Sequence, residues 1–403
     1  MFQKLAGLVL AVGILAEGAV VQAQTTVLLR TVYLEPFGCP VGGCGPSLFS
    51  FDPDNRTVLG KESVPGGTGS YVTPDGALMV WLDAGFGPAA LILHDMINPR
   101  TTAVPVSPSA AAMIGNPTRP EVYLNDEAGA VALSVAGARR LSSPPCAAPR
   151  AEAISENGQR VVYTCLGSGG NPGYTAVLDV GTGALVRSLP FGRSPVLSPD
   201  GASLYVAEIE SATTRVRRYD VASGALLRDV VLDPALPILS LDPRTGRLLV
   251  QKPGGGTEVL DGATLDPVGG FLWFPGERQL AFDPQQPRAY VASSRRVEPG
   301  VHFESAFAVI DTDTLAVVDS LSFLSTTAAL SLVVAPRAAA PAGLAALVQG
   351  ANVQLSWSAG ASNATALRYV VEAGTTPGLA NIAVFEVGLQ TSLTVNGVPP
   401  GTY

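Results

Sequence analysis

VLSPDGASLYVAEIE (196–210), followed by YDVASGALLRDV (219–230), decides how this chain is built. In each stretch an apolar run enters a tight turn and a second apolar run leaves it. Asp200-Gly201 between alternating apolar residues is a strong hairpin signal, because glycine accepts the positive φ that such a turn requires. The first stretch recurs as YVTPDGALMVWLDAG (71–85) and AISENGQRVVYTCLG (153–167), and more loosely as SLDPRTGRLLVQK (240–252) and AFDPQQPRAYVAS (281–293). The second recurs as FDPDNRTVLG (51–60), HDMINPRTTAV (94–104), LDVGTGALVRSL (178–189), LDGATLDPVGG (260–270) and IDTDTLAVVDSL (310–321).

The aspartate of the second stretch falls at Asp52, Asp95, Asp179, Asp220, Asp261 and Asp311, in steps of 43, 84, 41, 41 and 50 residues. The long step holds two periods, with the degenerate unit EVYLNDEAGAVALSVAGARRLSS (121–143) inside it. Two hairpins in about 42 residues are four strands, the content of one propeller blade. Units open with an innermost strand near 69, 121, 151, 194, 238 and 279. Strands near 26–34 and 46–51 precede them, and TTAALSLVVAP (326–336) is an inner-strand pattern with no hairpin after it. The expected fold is all-β: a seven-bladed β-propeller whose first blade combines 26–60 with the strand at 329–335, a closure that removes free sheet edges. The six aspartates have a structural reading, since an Asp opening a type I turn accepts hydrogen bonds from the backbone ahead of it. The Asp311/Asp313 pair lacks the further ligands of a calcium loop.

SPDGASLYVAEIE followed by YDVASGALLRDV resembles the YVTN-type, lactonase-like β-propeller repeats of bacterial surface and exported proteins. The resemblance spans about 26–336. It implies the fold more than an activity, because such propellers include binding modules, structural proteins, quinoprotein-like relatives and a few hydrolases.

Composition agrees with many short strands. The chain has 403 residues, 47% of them apolar and only 14% charged, with 44 glycines and 33 prolines. A net charge of −8 argues against non-specific binding to nucleic acid or anionic membrane. The opening MFQKLAGLVLAVGILAEGAVVQAQ has a basic residue, an apolar stretch too short to span a bilayer, and small residues before Gln24. It predicts a signal peptide over 1–23 and secretion to the periplasm or medium. An oxidising compartment favours disulfides, and the simplest pairing of the four cysteines is Cys39–Cys44 and Cys146–Cys165. No CxxC pair or cysteine–histidine cluster suggests a metal site, and no cofactor is expected.

The propeller is assigned to 24–336. PRAAAPAG (336–343) supplies a Pro/Ala linker over 337–343. The remainder, 344–403, looks like a fibronectin type III domain: Trp357 matches the core tryptophan of its second strand, Tyr369 lies in the third, and PPGT (399–402) leads into the sixth. The chain stops where that strand begins, so the sequence reads as an incomplete domain or a fragment, with Trp357 only partly covered.

Catalytic motifs are absent: no GxSxG, HExxH, P-loop or strand-linked GxGxxG occurs. The two histidines, His94 and His302, read as surface residues. Two functions remain. One is a non-enzymatic binding or scaffold module recognising a protein, or an anionic small molecule or glycan. The other is a lactonase-like hydrolase acting at the channel mouth. Scarcity of histidine favours the first. A ligand site is expected where the inner strands begin. Five residues before Ser155, Ser198 and Asp283 lie Arg150, Arg193 and Arg278, with Arg119 near the corresponding place in the degenerate unit. Arginines converging on one mouth suit a carboxylate or phosphate. Alternatively Glu121, Glu152 and Glu277 neutralise them as a ring of ion pairs.

Overall fold

The computed structural model describes residues 27–33, 47–52, 57–63, 68–83, 89–96, 100–110, 112–127, 129–134, 137–142, 149–167, 173–210, 213–232, 238–252, 256–272, 277–296, 303–325, 327–334, 341–360, 369–374 and 382–399. The expected signal peptide, Cys39, Cys44, Cys146, His302 and most of the linker lie outside them. Strands β1 (Val27–Tyr33), β2 (Ser47–Asp52) and β3 (Thr57–Ser63) belong to a first sheet. The second holds β4 (Thr68–Val72), β5 (Leu78–Asp83), β6 (Ala90–Asp95) and β7 (Arg100–Pro105). The third holds β8 (Met113–Gly115), β9 (Glu121–Asp126), β10 (Gly129–Ser134) and β11 (Gly137–Arg140). The fourth holds β12 (Arg150–Ile154), β13 (Arg160–Cys165), β14 (Tyr174–Asp179) and β15 (Leu185–Pro190). The fifth holds β16 (Arg193–Leu197), β17 (Ser203–Glu210), β18 (Thr213–Asp220) and β19 (Leu226–Leu232). The sixth holds β20 (Ile238–Leu241), β21 (Arg247–Gln251), β22 (Gly256–Asp261) and β23 (Pro267–Leu272). The seventh holds β24 (Glu277–Phe282), β25 (Arg288–Arg296), β26 (Phe303–Asp311) and β27 (Val317–Ser325). The next strand, β28 (Thr327–Val334), returns to the first sheet and pairs antiparallel with β1, Leu332 opposite Leu29.

Each of these sheets is four-stranded and antiparallel, and from the second sheet on each adjoins the next through an apolar layer. Tyr71, Val80 and Leu82 of the second sheet meet Val122 and Leu124 of the third. Val162 and Val177 of the fourth meet Leu197 and Leu204 of the fifth. Tyr205 and Val216 of the fifth meet Leu248 and Leu260 of the sixth. Tyr290 and Val309 of the seventh meet Leu332 on β28. Strands covered on both faces carry runs of apolar residues, as in VWLD and RVVYTC, rather than strict alternation. Repeated four-strand sheets stacked face to face are the arrangement of a β-propeller.

The turns are built as the repeats imply. Asp179, Asp220, Asp261 and Asp311 each accept the backbone N–H three residues on, at 2.8, 2.7, 2.8 and 2.7 Å. The residue after that takes positive φ: Gly183 and Gly224, but also Leu265 (59°) and Leu315 (61°). A β-bulge accompanies this turn, as at Val177/Leu178 and Arg218/Tyr219.

The third sheet corrects one expectation. Its innermost strand is β8, and the stretch opening at 121 is the second strand. The β8–β9 turn reads Asn116-Pro-Thr-Arg119, without the Asp-Gly or Asn-Gly signal. Asn116 does the turn's work through its side chain, Oδ1 accepting Thr118 N at 2.9 Å. His94 also differs: it is buried in β6, 2% exposed, with Nδ1 3.2 Å from Thr101 Oγ1 and its ring against Trp81. A third strand lies between two covering sheets, so its inward positions are core.

After β28, β29 (Ala342–Gln349), which begins within the expected linker, β30 (Asn352–Ser358) and β33 (Ser392–Val395) form a three-stranded sheet, and β31 (Tyr369–Ala373) with β32 (Ala383–Gly388) a two-stranded one. Trp357 on β30 meets Tyr369 on β31 edge-on, ring centroids 5.8 Å apart at 74°. Trp357 is thereby buried, where the sequence suggested a half-covered ring.

Candidate functional site

The innermost strands have two ends with different chemistry. At the turn end the side chains satisfy one another. Ser198 Oγ donates to Asp200 Oδ1 at 2.5 Å and accepts from Ser203 N at 2.8 Å, while Ala202 N donates to the same carboxylate at 3.0 Å. These bonds, the Ser198 hydroxyl first, hold the Asp200 carboxyl below its ordinary range. Thr73 with Asp75 and Ser155 with Asn157 repeat the arrangement. Asp242 and Asp283 replace the hydroxyl with a carboxylate, accepting Arg244 N and Gln285 N at 2.9 Å each. Neighbouring turns are joined: Asn116 Nδ2 donates to Gly158 O (3.2 Å), and Asn157 donates through N to Pro199 O (3.0 Å) and through Nδ2 to Asp200 O (2.9 Å). This end has little capacity left for a ligand.

Those bonds place the turn ends of the third, fourth and fifth sheets side by side, so Arg150 and Arg193 share the opposite, leading end. Arg150 opens β12 and is exposed, its Nε 4.0 Å from Glu152 Oε1. Arg193 opens β16 and is exposed, with no acidic partner among the described residues. The carboxylate behind it is already engaged. Glu208, on the strand paired with Arg193's, forms an ion pair with Arg217 and accepts Tyr219 Oη at 2.9 Å. Burial, and next the bond to Glu208, push the Tyr219 phenol up to about 12.

Arg278 is the second residue of β24, with its side chain outside the described residues. Arg119 does not join the others. It lies in the β8–β9 turn, at the far end of the innermost strand, where its carbonyl accepts Tyr71 Oη at 2.6 Å. The displacement follows from the one-strand shift in the third sheet. Of the candidate neutralising carboxylates, Glu152 approaches Arg150. Glu121 instead pairs with Arg139 at 3.2 Å and accepts Tyr123 Oη at 2.5 Å.

Solved structures similar to this chain include the following three. Hydrazine synthase from Kuenenia stuttgartiensis is 17% identical, over 73% of this chain and 93% of that one, with a TM-score of 0.47. Apo AztD from Citrobacter koseri is 10% identical, over 77% and 98%, with a TM-score of 0.48. Dihydro-heme d1 dehydrogenase NirN is 14% identical, over 75% and 74%, also at 0.48. No protein-family model and no curated protein matches the chain. The functional reading therefore rests on the residues themselves.

Among the described residues no group of three His, Cys, Asp or Glu side chains is placed to hold a metal ion, and no cysteine is a free thiol. No helix among them is long and apolar enough to cross a membrane. Sequence reasoning missed Gln251 and Ser293, two buried polar side chains at the leading ends of the sixth and seventh sheets. Nothing in a hairpin motif marks them, because their setting depends on the neighbouring sheet.

Proposed function

We propose that the chain is an exported, non-catalytic binding protein: a seven-bladed propeller over 24–336, closed by β28, followed by a fibronectin type III-like unit over 344–403. Its signal peptide is 1–23, and its disulfides are Cys39–Cys44 and Cys146–Cys165. The ligand face is the leading end of the innermost strands, where Arg150, Arg193 and Arg278 receive an anionic group. The observation that carries this reading is Arg193, an exposed guanidinium without a carboxylate partner among the described residues, on a protein of net charge −8. An unpaired arginine presents a planar fork of donors that matches carboxylate or phosphate. Arg150 supports it from the next sheet, since its contact with Glu152 at 4.0 Å is too long for a hydrogen bond and leaves its donors available. At the turn end the carboxylates are capped by backbone N–H, and the exposed Arg119 stands there apart from Arg150 and Arg193.

Calorimetric titration of sulfate, phosphate, succinate and galacturonate against wild type and Arg193→Ala tests the site. Binding that weakens about tenfold in the variant is expected, the loss of one charge-assisted hydrogen-bonded contact. Equal binding by both proteins, or none by the wild type, removes the arginines from function and makes the end structural.

A further inference from the structure

The last strand of a sheet presents a row of unpaired N–H and C=O groups, on which another chain can add a strand. Charge guards most such edges in the propeller sheets. β3, β7, β11, β15, β19 and β27 each hold an Arg, Lys, Asp or Glu, and β23 carries Gly269-Gly270 in its middle instead. The edge strand β29 of the C-terminal sheet is not guarded in this way. AGLAALVQ has no charged side chain, and neither do β30 and β33 beside it. Among the described residues nothing pairs with its outer edge. Gly343, at φ 65°, lies in an irregularity near the start of the strand, and from Ala345 to Gln349 the pairing with β30 runs unbroken. Leu347, the midpoint of that run, is 53% exposed.

The run is complementary to itself. In an antiparallel ladder, residues whose N–H and C=O point outward face residues that do the same. A strand paired with its own copy about a two-fold axis therefore has one residue on the axis, opposite itself. With Leu347 there the whole run overlaps: Ala345 falls opposite the second copy's Gln349, and Ala346 opposite its Val348. The faces agree as well. On the side of Trp357, Val348 heads a row through Val353 to Val395, and Ala346 a row through Leu355 to Leu393. The axis joins one copy's valine row to the other copy's Ala346 row, apolar throughout. Within one copy these side chains are only half-buried, whereas Trp357, against Tyr369, is buried. On the other side Leu347 meets Leu347, with Gln354 beside it in each copy. The alternation of apolar and polar faces thus carries across the axis without a slip.

We infer that the chain associates with a second copy of itself through β29, joining two three-stranded sheets into one six-stranded sheet about a two-fold axis. The occupant of the edge is a second copy rather than a foreign strand, because the edge's own residues match every opposing position and no charge is present to select an oppositely charged partner. Pairing over so short a run is small beside the about 1,000 Å² of a stable interface, so the association is weak and depends on concentration. A dimer carries two propellers, which raises avidity for a ligand displayed on a surface. The inference does not depend on the arginines of the innermost strands.

Sedimentation equilibrium of the full chain, from micromolar to submillimolar concentration, is expected to show the mass rising from one chain towards two. Leu347→Lys sets two lysines against each other on the axis and weakens association about tenfold or more. Ala345→Lys/Gln349→Lys does the same, because each new lysine then faces another. Ala345→Glu/Gln349→Lys alters the same two positions but sets Glu opposite Lys twice, and it associates at least as well as wild type. The three positions are exposed, and the residues opposite them on β30 are uncharged, so the variants keep the wild-type circular dichroism and melting temperature. In the unaltered chain, hydrogen exchange of the amides in 345–349 slows as concentration rises. A chain that stays monomeric throughout, with exchange in 345–349 independent of concentration, overturns the inference. So does association that the two lysine variants leave unchanged, or that Ala345→Glu/Gln349→Lys abolishes along with them.

Discussion

Leu332→Ala measures whether β28 holds the ring together. Leu332 is 7% exposed and sits with Tyr290, Ala292 and Val309 of the seventh sheet, while its strand is hydrogen-bonded to β1 of the first. It thus touches the two sheets that lie farthest apart in sequence. Truncation removes three side-chain carbons, about 2.4 kcal/mol of transfer energy at roughly 0.8 per methylene. The cavity left behind raises the cost to about 2–5 kcal/mol. For a domain above 250 residues, one kcal/mol moves the melting temperature by roughly 2 °C, so a drop of about 4–10 °C is expected. Leu248→Ala is the internal standard, because Leu248 is fully buried between the fifth and sixth sheets, away from the closure. Urea melts followed by circular dichroism and scanning calorimetry compare the two. Similar losses show that the closing strand is as firmly packed as any other. A loss below about 0.5 kcal/mol for Leu332→Ala, against 2 or more for Leu248→Ala, would refute the reasoning.

Further outcomes are expected. Asp179, Asp220, Asp261 and Asp311 have carboxyls held below their ordinary range, chiefly by the hydrogen bonds of their turns; a lowered folded pKa gives stability that is full above about pH 4 and is lost as pH falls through the folded values, so urea midpoints unchanged between pH 5 and pH 2.5 would contradict the turn assignment. Asn116→Ala removes bonds to Tyr123 Oη at 2.9 Å and Gly158 O at 3.2 Å and strands Thr118 N, and is expected to lower the unfolding free energy by about 2–4 kcal/mol. Gly201→Ala costs more than Gly246→Ala in the same melts: both have φ near +70°, but only at Gly201 would a Cβ meet Arg160 Cγ, at 2.7 Å. Peptide mapping of exported, non-reduced protein is expected to link Cys146 to Cys165 and Cys39 to Cys44; a bridge between the two regions would overturn that pairing.

What the sequence made legible is what hairpins decide locally. Asp-Gly and Asn-Gly turns, their aspartates and the orphan strand at 329–335 are contained in stretches of ten to fifteen residues, and the structure builds each from the bonds those residues supply. The third sheet was misread at a turn whose signal is carried by a side chain, Asn116, rather than by an Asp-Gly or Asn-Gly pair, and that slip moved Arg119 to the wrong end. Contacts between sheets left no local trace. Arg218 Nη1 donates to Ala263 O at 2.5 Å, and Arg247 Nη1 donates to Thr312 O at 2.5 Å and Asp313 O at 2.9 Å. Arg187 likewise reaches Ala222 O. Each arginine ties one sheet to the outer turn of the next, some 35 to 66 residues on. RVRR (215–218) is a local run of basic charge in the sequence; in the fold its members divide by strand alternation. Arg217 turns to Glu208 and Arg218 turns the other way, to the sixth sheet. Among second, third and fourth strands, Arg187, Arg218 and Arg247 are engaged by carbonyls of the next sheet, and Arg160, Arg215 and Arg217 by carboxylates of their own. An arginine that opens an innermost strand, as Arg193 does, has only the leading end before it. Position within the repeat, rather than local charge density, singles out Arg193 for test, because it opens an innermost strand beside the one that Arg150 opens.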